Sequence, residues 1–252
     1  MTAPQPSAAP TTGEPQPIEA PSTPSWRQQS SLFWREWLRP LLLIALVMFS
    51  FRSAVADWND VPTGSMKPTI LEGDRIFINK VAYDLKFPFT MWMLADWADP
   101  AWGDVIVLRS PKDGKRLVKR VTGLPGDLVE IRDGTLYVNG RAADYAPLDP
   151  AIASQLSAEQ QKIHRFAEET VDGHAHPVMI RKYMSPGAYG PLRVPAGHYF
   201  VMGDNRDNSS DSRAFGPIPR EVILGQATAV ALSVDPSRYY LPRWQRFFRK
   251  LP

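Results

Sequence analysis

Three short runs in this chain carry side chains able to do chemistry together. The first is Val61-Pro-Thr-Gly-Ser65-Met-Lys-Pro68-Thr69. Gly64 lets the backbone turn tightly and Pro68 stiffens the exit, so the Ser65 hydroxyl can be held on an exposed turn. Taken alone, the run is an ordinary serine-containing loop. An alcohol becomes a useful nucleophile only when a neighbouring base takes its proton. Of the four histidines, His164, His174 and His176 fall in one later stretch and His198 precedes an apolar run. No Gly-x-Ser-x-Gly, Ser-x-x-Lys or His-Glu-x-x-His pattern occurs, so a histidine triad finds little support.

Lysine is the other base on offer. The second run is Leu117-Val118-Lys119-Arg120-Val121-Thr-Gly-Leu-Pro125-Gly126-Asp127. Strand alternation puts Leu117, Lys119 and Val121 on one face, which would point the amine inward; the competing reading is a surface lysine beside Arg120. A free lysine, with a pKa of ~10.4, is protonated at neutral pH, and bringing it to ~7–8 takes desolvation worth roughly 4 kcal/mol. The third run is Gly203-Asp204-Asn205-Arg206-Asp207-Asn208-Ser209-Ser210-Asp211-Ser212-Arg213, eleven residues with five charges. Beside a buried amine, Ser209 would orient it while Asp211 and Arg213 pair to hold the loop. The alternative is a plain charged loop.

These runs need a scaffold. The chain has 252 residues, 44% hydrophobic and 22% charged, an ordinary globular mixture that excludes a wholly disordered or collagen-like protein. With no cysteine there is no disulfide, thiolate zinc site or cysteine nucleophile. A net charge of +3 is too small to argue for a nucleic-acid partner. The first 25 residues hold seven of the 25 prolines and neither Lys nor Arg, which reads as a disordered tail. With the juxtamembrane segment it covers 1–36. From Trp37 to Trp58 the chain runs 22 residues around the apolar Leu41–Phe51, close to the ~20 that cross a bilayer, with tryptophans at both ends. Arg39 and Arg52 would snorkel toward headgroups. A buried core helix and a cleavable export signal ending at Ala54-Val55-Ala56 compete with a retained anchor over 37–58, and the long region before the apolar run favours the anchor. Arg27, Arg35 and Arg39 precede the span, so charge bias leaves the N-terminus cytoplasmic and the remainder outside.

Beyond the span the chain reads as strands. Arg75–Val81, Asp104–Arg109, Arg116–Val121, His198–Met202 and Val222–Leu232 are short and rich in β-branched residues. Asp133-Gly134 and Asp172-Gly173 sit between alternating runs and predict hairpins. Ser157-Ala-Glu-Gln160 is a weak capping-box signal. The fold class is mainly β: a single N-terminal transmembrane helix, then an antiparallel β-sheet domain over 59–126 and 198–235 with a smaller β domain inserted at 127–197. That insert shows few reactive side chains in any obvious cluster. The basic, aromatic tail at 236–252 would rest on a membrane surface or form a frayed helix. The apolar loop Phe87–Leu94, with Trp97 and Trp102, is either buried against the β core or dips into lipid.

The three runs, in this order behind an N-terminal span, closely resemble the bacterial type I signal peptidases over about residues 37–235. The resemblance implies a membrane-bound serine endopeptidase that removes signal peptides from exported preproteins after a small-x-small motif. Its site residues would be Ser65 as nucleophile and Lys119 as general base. Ser65 N–H and the Thr63 hydroxyl would form the oxyanion hole, with Thr63 standing where many relatives carry Ser. Ser209 would orient Lys119, Asp211 and Arg213 would support the loop, and Arg120 would pair with Asp204. Val61 and Val118 would wall the pockets for small substrate side chains. No metal or organic cofactor is implied. The partners are preproteins and the lipid bilayer, with no nucleic acid and no indication of oligomeric state, and the setting is the bacterial inner membrane. Two rivals are a dedicated Ser–Lys maturation peptidase for one secretion or pilus substrate, and a catalytically dead β module that binds export substrates.

Overall fold

The computed structural model describes residues 33–184 and 187–252, together with Trp26 and Ser30. The expected tail over residues 1–25 lies outside the described residues. The first unit of the chain, ending at Val47, carries most of an apolar helix. This helix opens with a π-helical turn, Trp34–Leu38, and continues as the α-helix Arg39–Ala54. The widened turn immediately precedes Pro40, which lacks an N–H and crowds the carbonyl four residues back. Long and apolar enough to cross a membrane, the helix leaves nearly all its residues uncovered by the protein. It starts and stops earlier than the expected 37–58. Ala54 ends it, and Trp58 lies in the strand Ala56–Asp60, where alternate polar residues pair with Asp74–Asn79.

The second unit, Met48–Pro252, is built on one eight-stranded antiparallel sheet. Its order is Ala56–Asp60, Asp74–Asn79, Ile223–Asp235, Val105–Arg109, Arg116–Gly123, His198–Met202 and Ile218–Pro219, with Leu241–Pro242 also pairing with the long strand. Several strands are apolar without alternation because both faces are covered. Val105 and Val107 join Val61, Met66, Ile76 and Ile78 on one side, while Ile106 and Leu108 join Tyr83, Val121, Tyr199 and Val201 on the other.

Between these strands lie the short two-stranded pair of Asp84–Lys86 with Met93–Asp96 and two further small sheets. One pairs Asp144–Pro147, His164–Val171 and His174–Arg181; the other pairs Tyr189–Arg193, Leu128–Arg132, Thr135–Val138 and Arg141–Ala142. Both Asp-Gly turns have two consecutive residues at positive φ: Asp133 at 48° and Gly134 at 75°, Asp172 at 48° and Gly173 at 84°. That conformation twists with the strands it joins, which is why Asp-Gly specifies it. Phe200 and Met202, from the main sheet, complete the core of the second small sheet with Val129, Ile131, Leu136 and Val138.

The tail is neither a frayed helix nor loose. Trp244–Arg246 form one 3-10 turn, and Arg246, 2% exposed, donates to Asp74 and to the Thr69 carbonyl at 3.0 Å. Leu251 N–H donates to Thr228 O at 3.0 Å, so the segment is sewn to the sheet. The Phe87–Leu94 loop is not buried either: Phe89 and Trp92 are 67% and 76% exposed, and Trp97 is also exposed. Only Trp102 packs, against the small-sheet core.

Candidate active site

The turn that carries Ser65 is held at both ends by the core. Val61 and Met66 are buried in the apolar cluster, and between them Gly64–Met66 form a single 3-10 turn entered from an extended Thr63. Met66 faces inward, and Ser65 is left partly exposed. Thr63 is exposed, and its hydroxyl makes no hydrogen bond among the described residues.

Lys119 comes from the strand Arg116–Gly123. Leu117 and Val121 pack in one cluster as alternation requires, but the Lys119 side chain folds back so that Nζ lies 2.7 Å from Ser65 Oγ and donates to Val118 O at 2.9 Å. Only 2% of the residue is exposed. Burial is the largest influence on the amine and lowers its pKa to about 8, against the charges of Asp211 and Asp204, which favour the protonated form. Val118 packs against the cluster containing Val61, so the two expected pocket walls share one apolar surface beside Ser65. One edge of this strand pairs with Val105–Arg109 along Arg116–Arg120. The other edge is covered by His198–Met202 only from Arg120 onward, leaving 116–119 unpaired on that side.

The charged run supports both groups from below. Arg120 donates a parallel pair of hydrogen bonds to Asp204, Nε to Oδ1 and Nη2 to Oδ2, each 2.9 Å, with both residues 1% exposed. Thr69 Oγ1 donates to the same carboxylate. Burial opposes ionisation of Asp204, but Arg120 outweighs it and holds the carboxyl below its ordinary range. Asp211 accepts from Gly203 N–H at 3.0 Å and from Arg213 through Nε and Nη2, both at 2.8 Å. Burial works against its charge as well, and Arg213 overcomes it, again lowering the pKa.

Ser209 differs from expectation: it makes no hydrogen bond to Lys119. Its Oγ is buried, faces the Asp211 carboxylate that it helps to keep ionised, and packs against Gly203. A Cβ on Gly203 would sit 2.3 Å from that oxygen and 2.5 Å from Ser65 O, so only glycine fits this crossing.

Three supporting residues were not singled out from the sequence. Asn205 donates through its backbone N–H to Ser65 O and through Nδ2 to Gly64 O, both at 3.0 Å, which clamps the turn that carries Ser65. Arg206, next in the chain, forms a bidentate pair with Glu169, a fully buried residue of the inserted strands. Tyr145 OH donates to the same carboxylate at 2.5 Å, and His176 Nε2 lies 3.3 Å from it. The insert, expected to lack a reactive cluster, therefore has one, and it grips the loop that clamps Ser65. Burial raises the pKa of Glu169, but Arg206 dominates and drives it well below the carboxylate range. The signal was present in the alternation, since Ala167, Glu169 and Val171 are the inward positions of their strand. Arg206 and Asn205 gave no comparable hint within a run of polar residues. Among the described residues, no group of His, Asp and Glu is placed to hold a metal ion.

Comparison with known proteins places residues 34–232 in the family described as signal peptidase, peptidase S26. "Signal peptidase I" of Pseudomonas aeruginosa is 39% identical over 225 residues, spanning 82% of this chain and 75% of its own. "Signal peptidase I" of Pseudomonas fluorescens is 38% identical with the same coverage. A crystal structure of a signal peptidase I from Enterococcus faecalis is 33% identical, covering 52% of this chain and 98% of that one, with a TM-score of 0.34.

Proposed function

The chain belongs to the signal peptidase family, peptidase S26, and is a serine peptidase; we propose that it is anchored in the bacterial inner membrane and cuts signal peptides from exported preproteins through a Ser65–Lys119 dyad. The observation that carries the dyad is the 2.7 Å approach of an almost fully buried amine to Ser65 Oγ. At a pKa of about 8, roughly a tenth of the amine is neutral at pH 7, against well under a thousandth for a free lysine.

The neutral amine accepts the Ser65 proton as Oγ attacks the carbonyl carbon at the scissile bond. The resulting oxyanion is met by the Ser65 N–H and by the Thr63 hydroxyl, donors commonly worth about 3 kcal/mol each. The Lys119 ammonium then gives its proton to the departing amine nitrogen, which leaves an ester on Ser65. Water, deprotonated by the same amine, hydrolyses that ester and restores both groups. Asp211 with Arg213, and Asp204 with Arg120, hold the floor beneath the amine.

The unpaired edge at 116–119 supports binding of the substrate as an added strand, with its small side chains against Val61 and Val118. The apolar helix Trp34–Ala54 supports the anchor, and Arg27, Arg35 and Arg39 ahead of its apolar stretch support a cytoplasmic N-terminus.

The test is processing of one preprotein by the full chain across pH. The wild type should gain close to tenfold in kcat/KM per pH unit below about 8 and then level off. Ser65→Ala and Lys119→Ala should be inactive throughout. Full processing by either variant would refute the dyad.

A further inference from the structure

Beyond the active site, a cavity of about 360 Å³ opens beside the end of the apolar helix, lined by Ser53 and Ala54, by Phe89 and Met91 of the exposed loop, and by Lys80, Lys86, Arg109 and Arg116. All four ionisable residues lining it are cations. The carboxylates behind them do not balance the charge. Asp57 is shared by Arg52, Lys80 and Arg116, at 3.0, 3.3 and 3.4 Å. Asp84 is divided between Lys86 and Arg220. The Arg109 guanidinium has no ion pair among the described residues, and Arg109 stands directly opposite Arg116 across two paired strands. Like charges facing each other across a strand pair destabilise it. An anion bridging the two guanidinium groups would remove that repulsion.

The remaining walls define the rest of the ligand. Phe89, in the cavity wall, is 67% exposed, and Phe87, Trp92 and Leu94 of the same loop are exposed as well. A free anion gains nothing from these side chains, whereas a phosphate joined to hydrocarbon satisfies both halves of the site.

We propose that this cavity binds the phosphate headgroup of an anionic phospholipid, with Arg109 and Arg116 on the phosphate and the Phe87–Leu94 loop against the acyl chains. Lys86 adds a third cation, and Lys80, already donating to Arg52 O and Ser53 O, contributes charge more than contacts. The site rests on the reading that the protein is membrane-borne. That reading has its own check, in whether alkaline washing leaves the full chain in the membrane.

The experiment titrates the full chain, in a non-ionic detergent, with phosphatidylglycerol or phosphatidylcholine and counts bound lipid by native mass spectrometry. A separate arm adds millimolar inorganic phosphate. Each surface cation removed should weaken phosphatidylglycerol binding about fivefold, so Arg109→Gln loses about fivefold and Arg109→Gln/Arg116→Gln about 25-fold. Phosphatidylcholine should bind weakly and equally to all variants, and Arg141→Gln, at an exposed position elsewhere, should behave as the wild type. Unchanged phosphatidylglycerol binding in Arg109→Gln and the double variant would overturn the proposal. So would phosphatidylcholine binding as tightly, or inorganic phosphate displacing the lipid at equal concentration, which would mark a free-phosphate site. Arg109 is exposed and unpaired, so its variant should fold; preprotein processing in detergent at the wild-type rate verifies this without touching the lipid result.

Discussion

Replacing Lys119 by Met should make the protein more stable at neutral pH and less stable at high pH. The buried amine has its pKa lowered from 10.5 to about 8, mainly by desolvation. At about 1.4 kcal/mol per unit, the folded state bears about 3 kcal/mol for holding this group protonated below pH 8. Between about 8 and 10.5 the unfolded chain binds a proton that the folded chain does not, so wild-type stability climbs with pH across that window. Above it the penalty is gone. Methionine keeps the length and apolar bulk but gives up the contacts to Ser65 Oγ and Val118 O, each worth about 1 kcal/mol. The variant should therefore gain about 1 kcal/mol at pH 7 and lose about 2 kcal/mol near pH 10.5. Urea unfolding of both full chains in detergent, followed by tryptophan fluorescence at several pH values, measures the difference. Groups shared by the two chains cancel in it. A difference that stays flat from pH 7 to 10.5 would refute the claim that burial tunes this amine, whatever the variant does to activity.

Asn205→Ala removes the Nδ2 bond to Gly64 O while keeping the backbone bond to Ser65 O. As a positioning residue, Asn205 should affect kcat, by about tenfold, with KM little changed; an equal rise in KM would show a general loss of structure instead. Glu169→Gln leaves Arg206 buried without its counter-charge and should cost about 3–5 kcal/mol in chemical denaturation, although Glu169 belongs to the insert. Because the folded carboxyl is held far below its ordinary value, that stabilisation is present above about pH 4.5 and fades as acid protonates the group, so wild type and variant should converge at low pH.

Much of this protein is local, and local features are legible in the amino-acid order. Chain alternation and the two Asp-Gly turns were enough for the longer strands and both hairpins, because an alternating run and a turn requiring two positive φ angles are decided by neighbours in sequence; the short strands Ala56–Asp60, Asp84–Lys86, Met93–Asp96 and Tyr189–Arg193 were missed. The three polar runs offered Ser65, Lys119, Ser209, Asp211 and Arg213 as candidates beside ordinary-loop readings; their resemblance, in order, to one family supplied the roles and added the Arg120–Asp204 pair. The helix was found but not its end, since Arg52 and Trp58 satisfied an interfacial pattern while pairing with Asp74–Asn79 claimed residue 56 onward for the sheet. Tertiary structure alone decided what lay across long separations: the 54-position separation of Ser65 and Lys119 closed to 2.7 Å, Asn205 brought beneath the turn that carries Ser65, and Glu169 of the insert locked onto Arg206. It also left the Phe87–Leu94 loop in the open and buried Arg246, where composition favoured neither outcome. Propensity acts over a few residues, whereas burial, and with it the lowered pKa of one lysine, belongs to the neighbours that folding assembles.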